Sequence, residues 1–289
     1  DGSFSFESIP YGTWYVREIE QPAGFVLDDT IYPVTIGADG QVVEIEIVNR
    51  YVRGNIHLTK VDSEYPDNKL TGATFEVYKD SNATGNLDDG DELLGTLTEK
   101  EIGEYSMNDL FYGRYFVKET KAPEGFVLDT GVYEVMIDTN GKTYKVENKA
   151  GVGFVNDAMR GNLKIIKTSS DGKIKGFAFR ITGANGYDII LETNDKGEIV
   201  IEGIRIGDYT VSEVSNSASA MYVLPADKKA TVKTGSTTIV EMHNVLRDTP
   251  KTGDATNLPL LYALAGLSAV GIAVTAFAGF KKKKKEGND

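Results

Sequence analysis

The sequence predicts an all-β chain of tandem small antiparallel β-sandwiches, followed by one C-terminal transmembrane helix. Three observations carry this. Apolar residues, rich in Val, Ile, Tyr and Phe, alternate with polar ones in short runs separated by Gly, Asn and Asp, the pattern of half-buried strands. One spacing pattern recurs three times. Residues 258–280 form an uncharged stretch of 23 residues.

The repeat sets the organisation. Gly2, Gly103 and Gly197 each open a pattern of apolar residues two, four and seven positions later: Phe4, Phe6, Ile9; Tyr105, Met107, Leu110; Ile199, Ile201, Ile204. A second glycine follows ten positions on (Gly12, Gly113, Gly207), and a glutamate sixteen on (Glu18, Glu119, Glu213). Arg53-Gly54-Asn55-Ile56-His57-Leu58-Thr59-Lys60 reappears as Arg160-Gly161-Asn162-Leu163-Lys164-Ile165-Ile166-Lys167. The expected boundaries are a partial module at 1–52 lacking its opening strand, and full modules at 53–159 and 160–247. A motif and spacer at 248–257, the span at 258–280 and a tail at 281–289 complete the chain. The chain is thus expected to start inside a domain, as the C-terminal end of something longer. Asp39-Gly40, Asn140-Gly141, Asp171-Gly172 and Asn185-Gly186 are expected to be hairpin-type turns.

Composition excludes several function classes. With 40% hydrophobic and 26% charged residues, the chain can build cores. The absence of cysteine removes disulfides, thiolate metal sites and cysteine nucleophiles. The net charge is −12; residues 253–289 hold five lysines and three acids, leaving 26 basic against 40 acidic residues, or −14, before them. So acidic a surface repels phosphate backbones, and no nucleic acid is expected as partner. The two histidines, His57 and His243, have outward parity. No metal or cofactor is expected. The acidic loop Asp88-Asp89-Gly90-Asp91-Glu92 lacks the full spacing of a calcium loop and reads as a solvated turn. Trp14 aligns with Tyr115 and Tyr209 and is expected in a core. No Ser/His/Asp arrangement, phosphate loop or nucleotide fingerprint appears.

The chemistry lies in charged residues on the wrong face. Side chains alternate faces along a strand. Lys60 shares a face with Ile56 and Leu58, and Lys167 with Leu163 and Ile165. Glu119 lies with Tyr115 and Val117, Glu213 with Tyr209 and Val211, and Glu18 with Trp14 and Val16. Asn49 follows Ile45 and Ile47, Asn156 follows Phe154, and Asn244 follows Val240 and Met242. Each full module thus points a Lys, a Glu and an Asn inward from three strands. A buried unpaired charge is costly, so the bland reading is a buried Lys–Glu ion pair beside an Asn. The chemical reading is that burial neutralises both charges. A neutral amine then attacks the Asn carboxamide, with a protonated Glu polarising the carbonyl and relaying the proton. Ammonia leaves and a Lys–Asn isopeptide bond remains. This happens once per molecule, so it is maturation and not enzyme turnover. In the second module Asn156 sits five before its Arg-Gly-Asn glycine, as Asn49 does; Asn148, 29 residues after Glu119, is the alternative acceptor.

These residues resemble a family. Tyr115-Phe-Val-Lys-Glu119-Thr-Lys-Ala122-Pro123-Glu-Gly125-Phe126 is similar to the YxLxExxAPxGY "E-box" of SpaA-type pilin and collagen-adhesin B-type (prealbumin-like) domains, departing at Val117 and Phe126. The first copy keeps Glu18, Pro22, Gly24 and Phe25; the third keeps Tyr209, Val211 and Glu213 but loses the Ala-Pro-x-Gly half. Lys60 and Asp62 match the family's KxD element, where the third module has Ser169 in place of the Asp. The resemblance implies isopeptide bonds from Lys60 and Lys167 to Asn156 (or Asn148) and Asn244, with Glu119 and Glu213 as relays, and a partial set of Glu18 and Asn49.

At the C-terminus, Thr249-Pro250-Lys251-Thr252-Gly253 precedes the span and the Lys281–Lys285 cluster. A helix over 258–280 would run about 34 Å, enough for a hydrocarbon core of about 30 Å, and the lysines would stay cytoplasmic. Motif, span and basic tail resemble the LPxTG sorting signal of Gram-positive surface proteins, with Thr249 in place of Leu. The resemblance implies that sortase, after transient membrane anchoring, cleaves Thr252–Gly253 and joins the chain to peptidoglycan or another pilin subunit. The expected role is a wall-anchored structural stalk at the cell surface of a Gram-positive bacterium. The alternatives are modules that themselves bind carbohydrate or host matrix, and a tether for an N-terminal enzyme.

Overall fold

The computed structural model describes residues 2–248; the motif at 249–253, the apolar stretch and the lysine tail lie outside them. Asp1–Val245 pack as one compact unit, and of the separate unit from Leu246 onward only residues 246–248 are described. Among the described residues the only helical element is the short turn Ala184–Gly186, and no helix is long and apolar enough to cross a membrane.

The second module is a two-sheet sandwich. One sheet runs Val132–Ile137, Gly113–Lys121, Thr74–Lys79, Glu92–Thr96; the other runs Thr143–Lys145, Arg53–Asp62, Glu104–Phe111, Thr98–Glu101, with Phe154–Asn156 also paired to Arg53–Asp62. The third module repeats this plan. Its first sheet runs Glu198–Arg205, Arg160–Ser169, Thr237–Leu246, Tyr222–Val223, and its second Asp188–Glu192, Ala178–Gly183, Gly207–Val214, Lys228–Val232. Inward residues of facing sheets form each core: Ile56, Leu58, Phe75, Val117 and Phe154 in one, and Leu163, Ile165, Phe179, Val211 and Met242 in the other. Period-two alternation is the signature of strands with one buried face, and burial follows it residue by residue from Arg53 to Lys60, after which Val61 and Asp62 are buried as well.

Most pairings are antiparallel, but each closing strand runs parallel to the opening strand of its own module. Thr237–Leu246 lies alongside Arg160–Ser169 without interruption, with Lys167 opposite Met242 and Ser169 opposite Asn244. In the second module the closing strand is broken in two. Thr143–Lys145 pairs with residues 55–57, the chain loops out, and Phe154–Asn156 pairs with residues 60–62.

Two expectations are corrected. Of the four Asx-Gly turns, only Asn185-Gly186 joins hydrogen-bonded neighbours, Ala178–Gly183 and Asp188–Glu192, with φ of 54° and 72°. Asn140-Gly141 and Asp171-Gly172 instead carry the chain from one sheet to the other, and Asp39-Gly40 follows Tyr32–Ile36 with no described strand paired back to it. Each still needs a glycine at positive φ, which is why the dipeptide read as a hairpin. Trp14 is not a core residue: it is 43% exposed, because residues 2–51 form only two separate two-stranded pairs, Gly12–Val16 with Tyr32–Ile36 and Phe25–Val26 with Arg50–Tyr51, and none of them is buried. It nevertheless does what its counterparts do. Trp14 Nε1 donates to Pro10 O at 2.9 Å, as Tyr115 Oη does to Phe111 O at 2.7 Å and Tyr209 Oη to Arg205 O at 2.8 Å.

Candidate functional site

Three strands bring the inward polar residues of the second module together. Lys60 and Glu119 are 0% exposed and Asn156 3%; Lys60 Nζ lies 5.4 Å from the centre of the Phe154 ring, which meets Phe75 and Tyr133 edge-on. Asn156 Nδ2 donates to both Glu119 oxygens, at 2.8 and 3.1 Å, and the Asp129 backbone N–H donates to Glu119 Oε2 at 2.8 Å. Lys60 Nζ donates to Phe154 O at 3.1 Å, two residues before Asn156 on the strand paired in parallel with its own.

The third module reproduces the set. Lys167 and Asn244 are fully buried and Glu213 nearly so. Asn244 Nδ2 donates to Glu213 Oε1 at 2.6 Å. Lys167 Nζ lies 4.1 Å from the centre of the Phe177 ring and donates to Thr168 O. In the first module Asn49 Nδ2 donates to Glu18 Oε1 at 2.6 Å and Asp28 N–H to Glu18 Oε2 at 2.8 Å. Lysine and asparagine are in the same register in both full modules: Lys60 pairs with Phe154 and Lys167 with Met242, each two positions before the asparagine.

Burial dominates the electrostatics. It lowers the Lys60 amine to about 8, against the pull of Glu119, Asp129 and Asp62, and it lowers Lys167 against Glu213 and Asp171. It raises both Glu119 and Glu213, and the hydrogen bonds from Asp129 N–H and Asn156 or from Asn244 offset only part of the rise. Acid and base are thus pushed toward the same neutral pair, the direction that desolvation dictates. A further polar atom is stranded in every copy: Asn49, Asn156 and Asn244 each keep a buried Oδ1 with no hydrogen-bond partner. Leaving a buried carbonyl unpaired costs about 1–3 kcal/mol. A protonated glutamic acid facing that oxygen would remove the cost.

Asn148 occupies a different place. It is half-buried, with Nδ2 donating to Asp129 Oδ2 at 2.7 Å and Val155 O at 2.8 Å, and Oδ1 accepting from Val155 N–H at 2.6 Å. It brackets the loop where the closing strand is broken, and its amide is fully used. Two participants escaped sequence reasoning. Asp129 aims its N–H at Glu119 and is itself bound by Tyr133 Oη at 2.9 Å; the first module has the same pair in Asp28 and Tyr32. The signal was available, since Asp28 and Asp129 both stand ten residues after their glutamates. The third module has Val223 there, and its Glu213 Oε2 is unpaired. His57 Nε2 lies 2.9 Å from Glu104 Oε2, His243 is exposed, and the acidic loop closes on itself through Asn82, Thr84 and Asp88. Among the described residues no acid or histidine cluster is arranged to hold a metal.

Comparison with known proteins follows the repeat. The SpaA family, described as a prealbumin-like fold domain, matches residues 1–51, 54–150 and 161–246. The chain is 28% identical over 176 residues to the "Trypsin-resistant surface T6 protein" of Streptococcus pyogenes serotype M6, a match covering 60% of this chain and 29% of that protein. The chain thus spans under a third of that relative. Among solved structures, the Bacillus anthracis TIE protein superposes with a TM-score of 0.60 at 25% identity, over 83% of this chain and 42% of that one. A streptococcal ancillary pilin aligns over 83% of this chain and 77% of its own, at 22% identity and a TM-score of 0.30. With all three repeats matched, this chain belongs to the SpaA family of prealbumin-like fold domains.

Proposed function

We propose that the chain is the structural stalk of a Gram-positive surface protein, pilin-like or adhesin, whose two full modules staple themselves with Lys60–Asn156 and Lys167–Asn244 isopeptide bonds. The observation that carries this is the thrice-repeated Glu–Asn pair with a stranded amide oxygen, buried in both full modules and set there beside a lysine whose charge burial disfavours. The proton of Lys60 passes to Glu119. The Asn156 amide turns about its Cβ–Cγ bond to bring Oδ1 to Glu119, and the freed amine lone pair attacks Cγ while the Glu119 acid donates to Oδ1. The new C–N bond forms, the amine's surplus proton is relayed to Nδ2, and the Cγ–Nδ2 bond breaks to release ammonia as Oδ1 returns its proton to Glu119 and the carbonyl re-forms. The products are one amide and one ammonia, with no oxidant or cofactor.

The register gives the bond a mechanical use. Opening and closing strands lie parallel, so pulling a module by its ends shears them past each other. A covalent bridge near the far end of that pair sends the load from Arg53 through Lys60 to Asn156 and on to Arg160, bypassing the rest of the module. A cysteine-free chain outside the cell gains from this what small secreted domains take from disulfides.

Anchoring belongs to the same proposal. Thr249–Gly253, the apolar stretch 258–280 and Lys281–Lys285 support transient membrane insertion, cleavage of Thr252–Gly253 by sortase, and transfer to peptidoglycan or another pilin subunit. Thr252→Ala is expected to move the protein from the wall fraction to the membrane fraction of fractionated cells. Wild type held wholly in the membrane, with Lys281–Lys285 intact, refutes the anchoring.

A further inference from the structure

Two departures of the third module lie outside the Lys–Glu–Asn set: Ser217-Ala-Ser-Ala220 where the other two have Pro-x-Gly-Phe, and Ser169 where the second has Asp62. The structure gives both one explanation. In the first module the Pro22–Phe25 turn is closed by Phe25 N–H to Pro22 O at 3.1 Å; in the second, Phe126 N–H reaches Pro123 O at 3.1 Å. The glycine of each turn, at φ of 85° and 82°, then faces the next module. A Cβ on Gly24 would meet the Tyr112 ring at 3.1 Å, and one on Gly125 would meet Ile206 at 3.9 Å.

Tyr112 and Ile206 are equivalent: each stands nine residues after the glycine that opens its repeat. One linker residue ties the two sides in each case. Val52 N–H donates to Gly24 O at 2.8 Å, and Tyr112 N–H donates to Val52 O at 3.0 Å. Met159 N–H donates to Gly125 O at 2.8 Å, and Ile206 N–H donates to Met159 O at 3.0 Å. The same two bonds therefore recur at both junctions.

A side-chain clasp reinforces each one. At the first, Phe25, Tyr51 and Phe111 pack ring on ring at 4.7 and 5.4 Å. At the second, Arg205 of the third module reaches back to Asp62, with both amino groups bonded at 2.6 and 2.7 Å, and to Glu64 at 3.0 Å. Such a bidentate pair fixes orientation as well as adding energy. The third module, followed in sequence by residues 248–289 and not by another repeat, turns its own segment inward. Asn216 Nδ2 donates to Gly176 O at 2.7 Å, and its backbone N–H to Ser219 Oγ at 2.9 Å.

We propose that the Pro-x-Gly-Phe half of the motif is a docking element for the next module in the chain, locking successive modules at a fixed angle. The unaided expectation for tethered domains is relative motion; the two-bond linker and its clasp replace that hinge. The Asp of the Lys-x-Asp element serves the same joint, through its paired bonds from Arg205. The inference does not depend on the isopeptide bonds, which mass measurement reads separately.

The test is a spin-label distance measurement on the full chain, which has no native cysteine to interfere. Lys100→Cys with Lys229→Cys labels exposed sites across the second joint, and Lys100→Cys with Lys121→Cys labels one module as control. The unaltered joint is expected to give a single narrow distance. Gly125→Val is expected to lose that narrow peak while the control pair stays narrow. Should Gly125→Val disturb the control pair, Pro123→Ser, Gly125→Ser and Phe126→Ala together install residues that the third module already accommodates, and the same loss is expected. A broad distribution across the unaltered joint, or a narrow one retained in the variants, overturns the proposal.

Discussion

Replacing Glu119 by Ala removes the proposed relay and leaves both reacting groups in place. Glu119 is fully buried, on a strand flanked by two others, and it accepts from Asn156 and Asp129 N–H. The variant also relieves the cost of desolvating a carboxylate, so the module should still fold. Its loss is the covalent loop. Lys60 to Asn156 closes roughly 100 residues, which the chain-entropy treatment of a cross-link values at about 4–5 kcal/mol. For a domain of this size that corresponds to a fall in melting temperature of about 15–40 °C, confined to the second module. Intact mass should rise by one ammonia relative to wild type, and calorimetry should show one transition lowered and the other, with Lys167–Asn244 intact, unmoved. A Glu119→Ala chain that still lacks the full wild-type complement of ammonia would refute the relay.

The remaining predictions concern the acceptor and its titration. Asn156→Ala should restore one ammonia mass. Asn148→Ala should leave the mass deficit unchanged and cost about 1–3 kcal/mol through the unpaired Asp129 and Val155 groups; the reverse pattern makes Asn148 the acceptor. The uncross-linked Asn156→Ala chain should also gain stability between pH 8 and 10.5. There the unfolded chain still holds the Lys60 proton while the folded one, with its amine at about 8, has released it, so raising the pH favours folding by about 3 kcal/mol at most. The amide of the wild type does not titrate and should show no such gain; equal slopes in denaturant titrations of the two would remove the buried-amine account.

The fold was legible because each level of the sequence agrees. Alternation placed Ile56, Leu58 and Lys60 on one face, and all three are buried; the glycine-to-glutamate spacing located the equivalent strand three times. Counting failed where the chain inserts residues. Glu119 and Asn156 are 37 apart, whereas Glu18–Asn49 and Glu213–Asn244 are 31 apart, because the closing strand of the second module loops out between Lys145 and Phe154. Measured from the Arg-Gly-Asn junction the register survives, since the insertion lies upstream of it. The Trp14 environment was illegible for another reason: strand parity tells which way a side chain points but not whether a second sheet stands opposite. The joint escaped because Val52 and Met159 act through backbone groups, which leave no trace in residue identity.

Intact mass of the purified chain tests the central claim most directly. Two bonds release two ammonia molecules, so the account predicts a mass lighter than the sequence by two ammonia, with fragmentation mapping one branch at Lys60–Asn156 and one at Lys167–Asn244. A mass equal to that of the plain sequence contradicts it, and leaves the buried lysines and glutamates as unreacted ion pairs.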